Sequence, residues 1–125
     1  MATNVACYDV ITDGNTSLTI GGDIDAELGI GVTGINTGVR SVLSFMLKAD
    51  DPSNLTFQIS VKNGNNVTTN VINNLNINSN VWRVFQEVID ANVLTATGNK
   101  LKIKVLSGSG TLVLSDIVLL YMKAV

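Results

Sequence analysis

The sequence predicts an all-β fold, a single antiparallel two-sheet β-sandwich of jelly-roll type spanning residues 1–125. Three observations predict it. Apolar residues recur with a period of two in several stretches, the spacing of a strand with one buried and one wet face. Turn-forming residues punctuate the chain every 8–12 positions. Nowhere does the 3.6-residue apolar spacing of a helix persist.

Taken in order, the first strands are expected at residues 5–12 and 17–20. Gly29, Gly31 and Gly34 break up residues 28–35, which read as a loosely formed strand or loop with close backbone contacts. Residues 39–48 form the next strand. Leu55, Phe57, Ile59 and Val61 then alternate with Thr56, Gln58, Ser60 and Lys62. Asn63-Gly64 follows at once, a strong two-residue turn signal, and residues 55–74 read as a hairpin about it. Another strand is expected at 81–89, and the segment 90–98 is the one place for a short helical turn, with Asp90 as its cap. Leu101, Ile103 and Val105 oppose Lys100, Lys102 and Lys104 on the next strand, and Ser107-Gly108-Ser109-Gly110 is expected to turn the chain. Residues 111–123 run back as a strand apolar on both sides, with Leu112, Leu114, Val118, Leu120 and Met122 on one side and Val113, Ile117, Leu119 and Tyr121 on the other. Such a strand lies within a sheet covered twice, or packs on another subunit.

Composition excludes whole classes of function. Of the residues, 46% are hydrophobic and 14% charged, so the chain folds and is not disordered. Net charge is −2 and the sequence pI about 4.8, and the basic run is short, which argues against nucleic acid as a partner. The longest apolar run, residues 117–122, is strand-sized, so no membrane insertion is expected. The N-terminal Met1-Ala2-Thr3-Asn4 lacks the basic and apolar regions of a secretion signal. Cys7 is the only cysteine, which leaves no intramolecular disulfide and no thiolate cluster. Histidine is absent, and with it the usual triads and the common general base. No phosphate-binding loop is present. The chain is therefore expected not to be an enzyme, with no catalytic residues and no cofactor beyond a structural Ca²⁺.

That Ca²⁺ has four candidate ligands. Asp23, Asp25 and Glu27 alternate along one segment, and Asp116 interrupts an apolar strand, where a buried carboxylate requires donors or a cation. The competing reading makes the first three a solvated strand edge and Asp116 an acceptor for a neighbouring loop. Candidate ligand-binding residues are the aromatic rings of Trp82 and Tyr8 and the amides of Asn63, Asn65 and Asn66. Sugars stack on exposed aromatic faces, and Asn binds hydroxyls. Against this, Trp82 lies in a strand-like run suited to core packing, and Asn suits turns.

Three pieces of the second half resemble the galactose-binding-like jelly-roll superfamily, which includes many carbohydrate-binding modules. Residues 42–47 with 55–62 and Asn63-Gly64 look like its paired inner strands. Val81-Trp82-Arg83-Val84-Phe85 looks like the strand that follows. Residues 98–103 with 112–121, carrying Asp116, look like its closing pair. The resemblance implies a non-catalytic binding module with a carbohydrate ligand, and in some members a structural Ca²⁺. The alternative is a structural or assembly subunit of a homo-oligomeric particle, appendage or tail, which low charge and a mean hydropathy of +0.35 favour.

Overall fold

The computed structural model describes the backbone of residues 4–19 and 24–124. Seven strands run through these residues: β1 (Asn4–Thr12), β2 (Thr16–Thr19), β3 (Asp25–Gly29), β4 (Ser41–Lys62), β5 (Thr68–Ile77), β6 (Arg83–Ile89) and β7 (Lys100–Ala124). All pairings are antiparallel.

β4 and β7 are long because each serves two sheets. Residues 41–50 of β4 pair with β6 and with residues 111–120 of β7, whose far side holds β1 and β2. Residues 54–62 of β4 pair with β5 and with residues 100–109 of β7, whose far side holds β3. The first sheet is thus β6–β4–β7–β1, with β2 continuing the line of β1, and the second is β5–β4–β7–β3. The alternation of β4 places Leu43, Phe45, Leu47 and Ala49 from one sheet against Leu55, Phe57, Ile59 and Val61 from the other, all buried in one core. Phe45 and Phe85, opposite each other in register, stack with centroids 5.8 Å apart. Cys7 is half-buried against this core as a small apolar side chain.

Four local expectations need correction. Ser107-Gly108-Ser109-Gly110 does not reverse the chain but carries β7 round the corner from one sheet to the other, alongside the corner of β4 at residues 50–54. Gly108 has φ +104°, and a Cβ there would run into the carbonyl of Asn54, so glycine is required where the two corners touch.

The second correction concerns residues 111–123. Asp116 has φ +52° and is exposed, at a β-bulge where Ser44 pairs with Val118 but Met46 with Ser115. The extra residue shifts the alternation by one. Leu112 and Leu114 before the bulge, and Ile117, Leu119 and Tyr121 after it, all face the core. The opposite side holds Val113, buried, Val118, half-buried, and Leu120, 41% exposed. The strand looks apolar on both sides in an unbroken alternation because the bulge is invisible there. The same geometry removes the premise that Asp116 is a buried carboxylate.

Third, the β4–β5 connection is not a two-residue turn. Asn63 and Val67 close it, with Asn63 N–H donating to the Val67 carbonyl at 2.9 Å and Asn66 N–H to the Asn63 carbonyl at 3.0 Å. The left-handed residue is Asn66, at φ +63°. This is a three-residue loop with its positive-φ position last. Fourth, residues 90–98 form turns without helix, because Asn92 takes φ +67° after a single Val93-to-Asp90 backbone bond of 3.4 Å.

Candidate functional site

The residues singled out for ligand binding do not converge. Asn63 is 8% exposed, and its side chain is consumed by the fold. Its Oδ1 accepts from Asn65 N–H at 2.9 Å and Val67 N–H at 3.1 Å, and its Nδ2 donates to the Val93 carbonyl at 3.2 Å. Asn99, 2% exposed and not singled out in the sequence, does the same work in the facing loop. Its Oδ1 accepts from Thr95 N–H at 2.9 Å and its Nδ2 donates to the Thr95 carbonyl at 2.7 Å. Gly64 N–H donating to Thr95 Oγ1 at 2.7 Å ties the two loops together. Asn65 and Asn66 remain exposed at the tip.

Trp82 and Tyr8 both belong to the first sheet's side of the molecule but lie far apart. Lys48 Nζ sits 5.0 Å from the Trp82 ring centroid, occupying a ring face on which a sugar would stack. Lys48 also pairs with Asp50 at 3.2 Å. Tyr8, 70% exposed, falls in the register row Tyr8–Leu120–Val42–Val88. Val88 is six residues along from Trp82, about 20 Å at strand rise, and Tyr8 lies three strand spacings, about 14 Å, across. The rows between them carry Val10 and Val118, with Val84 exposed on β6. This outer face is mostly apolar, with Ser44 and Gln86 as the polar positions of the Val10–Val118 row, and at it opens a shallow cavity of about 290 Å³ lined by Ala6, Val39, Val42, Leu120 and Met122 among others.

Of the proposed Ca²⁺ ligands, Asp23 lies outside the described residues. Asp25 and Glu27 stand on β3 opposite Lys104 and Lys102, and Asp116 belongs to the other sheet. Among the described residues no three His, Cys, Asp or Glu side chains gather closely enough to hold a metal ion.

Convergence of polar groups occurs instead on the outer face of the second sheet. The outward positions of β4, the half-buried Thr56, Gln58 and Lys62 and the buried Ser60, pair across to Asn76, Asn70 and Thr68 of β5 and to Lys104, Lys102 and Lys100 of β7. The amides are held by one another. Gln58 Nε2 donates to Asn70 Oδ1 at 3.0 Å, and Asn76 Nδ2 donates to Asn54 Oδ1 at 3.0 Å and to Thr56 Oγ1 at 3.3 Å. β3 completes the face with Asp25 and Glu27, and Lys100 Nζ pairs with Glu27 at 3.2 Å. That hydrogen bond from Lys100 holds the Glu27 carboxyl below its ordinary value, with the charges of Lys100, Lys102 and Lys62 adding to it. Leu106, 37% exposed, adds apolar contact surface on β7. Toward β6 the face ends at a cleft of about 290 Å³ lined by Thr69, Asn70, Glu87 and Asp90 among others. The alternation of β4 and β7 marked these positions as wet, but only the register joins them into one surface.

No protein-family model matches the chain, and no curated protein matches it. Solved structures do. A family 4 carbohydrate-binding module is 19% identical, with a TM-score of 0.61 over 94% of each chain. The CBM22-1 xylan-binding domain from Paenibacillus barcinonensis Xyn10C is 12% identical, with a TM-score of 0.53 over 100% of this chain and 86% of that one. A chain of the T13 IBDV viral particle is 15% identical, with a TM-score of 0.54 over 96% of this chain and 35% of that one. At these identities the likeness is one of fold alone, that of a jelly-roll β-sandwich.

Proposed function

We propose that the chain is a non-catalytic glycan-binding module whose site is the outer face of the β5–β4–β7–β3 sheet. The observation that carries this reading is the set of amides and hydroxyls on adjacent strands, Asn54, Thr56, Gln58, Asn70 and Asn76, fixed by mutual hydrogen bonds. Sugars present hydroxyls that both donate and accept, and an amide presents both functions in one plane. Groups already held in place lose little side-chain freedom on binding. The xylan-binding domain with the same fold supports a glycan as the ligand class. The site lacks an aromatic platform, since Trp82 and Tyr8 belong to the other sheet.

Retention in native gels containing polysaccharide tests it. Gln58→Ala and Asn76→Ala are expected to lose retention while keeping the wild-type melting temperature. Trp82→Ala and Tyr8→Ala are expected to retain it. The opposite pattern moves the site to the first sheet.

A second reading is favoured by one observation. The outer face of the first sheet exposes Tyr8, Val10, Val84, Val88 and Leu120, at 70%, 48%, 65%, 50% and 41%. Apolar exposure on one face marks an interaction surface, and a homo-oligomeric assembly subunit would cover it with a second copy. Light scattering at high micromolar concentration decides this, and a monomer there defeats it.

A further inference from the structure

The chain carries net charge −2, yet the outer face of the β5–β4–β7–β3 sheet gathers Lys62, Lys100, Lys102 and Lys104, four of the eight cations, against Asp25 and Glu27 among the described acids. Strand register concentrates them further. Lys62 stands directly opposite Lys100, a like-charge cross-strand pair that costs stability. Lys100, Lys102 and Lys104 follow on one side of β7 at intervals of about 6.8 Å. Among the described residues Glu27 is the one carboxylate within ion-pair distance of these four lysines, and it engages Lys100. The four lysines outnumber the described carboxylates of this face, Asp25 and Glu27, so its described side chains sum to a net positive charge.

We propose that this face takes an anionic glycan, a polysaccharide bearing carboxylate or sulfate groups, an inference that rests on the reading of the face as the glycan site. An ammonium group binds such anions as a point charge, and a row of them along one strand suits a linear polymer whose charges repeat. Gln58 lies one strand away and Asn70 two strands away for the hydroxyls between those charges, and Asp25 and Glu27 accept from hydroxyls. Nucleic acid fits less well. The face carries no aromatic ring on which bases could stack, and its two carboxylates oppose a continuous phosphate backbone.

Calorimetric titration of the whole chain with polygalacturonate, chondroitin sulfate and neutral xylan tests the proposal, with single-stranded DNA as a further polyanion. At low ionic strength one of the two acidic polymers is expected to bind at least about tenfold more tightly than xylan, and to lose that advantage near 0.5 M sodium chloride. Lys62→Gln combined with Lys102→Gln should weaken the acidic polymer by about tenfold or more, whereas Lys48→Gln combined with Arg83→Gln, the same charge change on the other sheet, should not. Lys104→Gln alone repeats the test should the double variant fail to fold. Xylan bound as tightly as the acidic polymers, with no effect of the lysine substitutions, overturns the anionic inference and leaves the glycan reading standing. Absence of binding to all three polysaccharides defeats both. Single-stranded DNA binding as tightly as the preferred acidic polysaccharide also overturns it, by reducing the face to a general polyanion patch.

Discussion

Replacing Asn63 by Ala separates a ligand-binding amide from a structural one. The side chain satisfies the N–H groups of Asn65 and Val67 and the carbonyl of Val93, so truncation leaves three main-chain groups without it. A net hydrogen bond contributes about 1 kcal/mol, and a buried group left unpaired costs about 1–3. Asn65 and Val67 are both exposed and water replaces their partner there, so each loses about one net hydrogen bond and the unpaired cost falls at the half-buried Val93 carbonyl. The expected destabilisation is about 2–4 kcal/mol. For a domain of this size that lowers the melting temperature by about 8–16 °C. Asn63→Asp keeps both acceptor bonds but sets a carboxylate against the Val93 carbonyl, and should fall between wild type and Ala. Differential scanning calorimetry measures the shift, and polysaccharide retention is measured well below the transition. Asn63→Ala melting within about 2 °C of wild type would refute the structural role. So would lost retention without a lost melt, which would return Asn63 to the binding site.

Asp116 holds a left-handed conformation that glycine adopts freely, so Asp116→Gly should raise stability by up to about 1 kcal/mol and Asp116→Val lower it by about 1–2, read from urea midpoints. Equal midpoints would dismiss the bulge as the reason for this residue. Leu119→Lys buries a charge at a fully buried position and should abolish folding by circular dichroism, whereas Val118→Lys, facing outward beyond the bulge, should stay folded and dissociate any oligomer. Since the described acids form no cluster, melting curves in EDTA and in millimolar Ca²⁺ are expected to coincide, and a rise with Ca²⁺ would require a site that includes residues such as Asp23.

The elements that follow their own alternation were legible in the sequence. Leu55 to Val61 and Leu101 to Val105 face inward as their spacing predicts, and the lysines between them face out. What escaped were the places where one residue breaks phase or a glycine pair bends without reversing. Ser107 to Gly110 has the composition of a turn, and composition cannot say whether the chain doubles back or passes into a second sheet. That depends on β4 bending at the same level, fifty residues away. Ser115-Asp116 looked like a polar interruption because a bulge is defined by the partner strand, which sequence spacing does not contain.

The candidate site failed to show for the same reason. The conspicuous single residues are Trp82, held under Lys48, and Asn63, spent on its own loop. The polar face is built from ordinary ones. Thr56, Gln58 and Lys62 look like solvated positions in β4 alone, and Lys100, Lys102 and Lys104 like solubilising charge in β7 alone. Pairing places Lys62 against Lys100 and Gln58 against Lys104, and β3 then adds Asp25 and Glu27 from the opposite edge. A sheet that served only solubility would gain by exchanging Lys62 for an acid, since opposite charges across a strand pair stabilise and like charges do not. The like pair beside hydrogen-bonded amides is the feature that the proposed anionic ligand would explain and solubility alone does not.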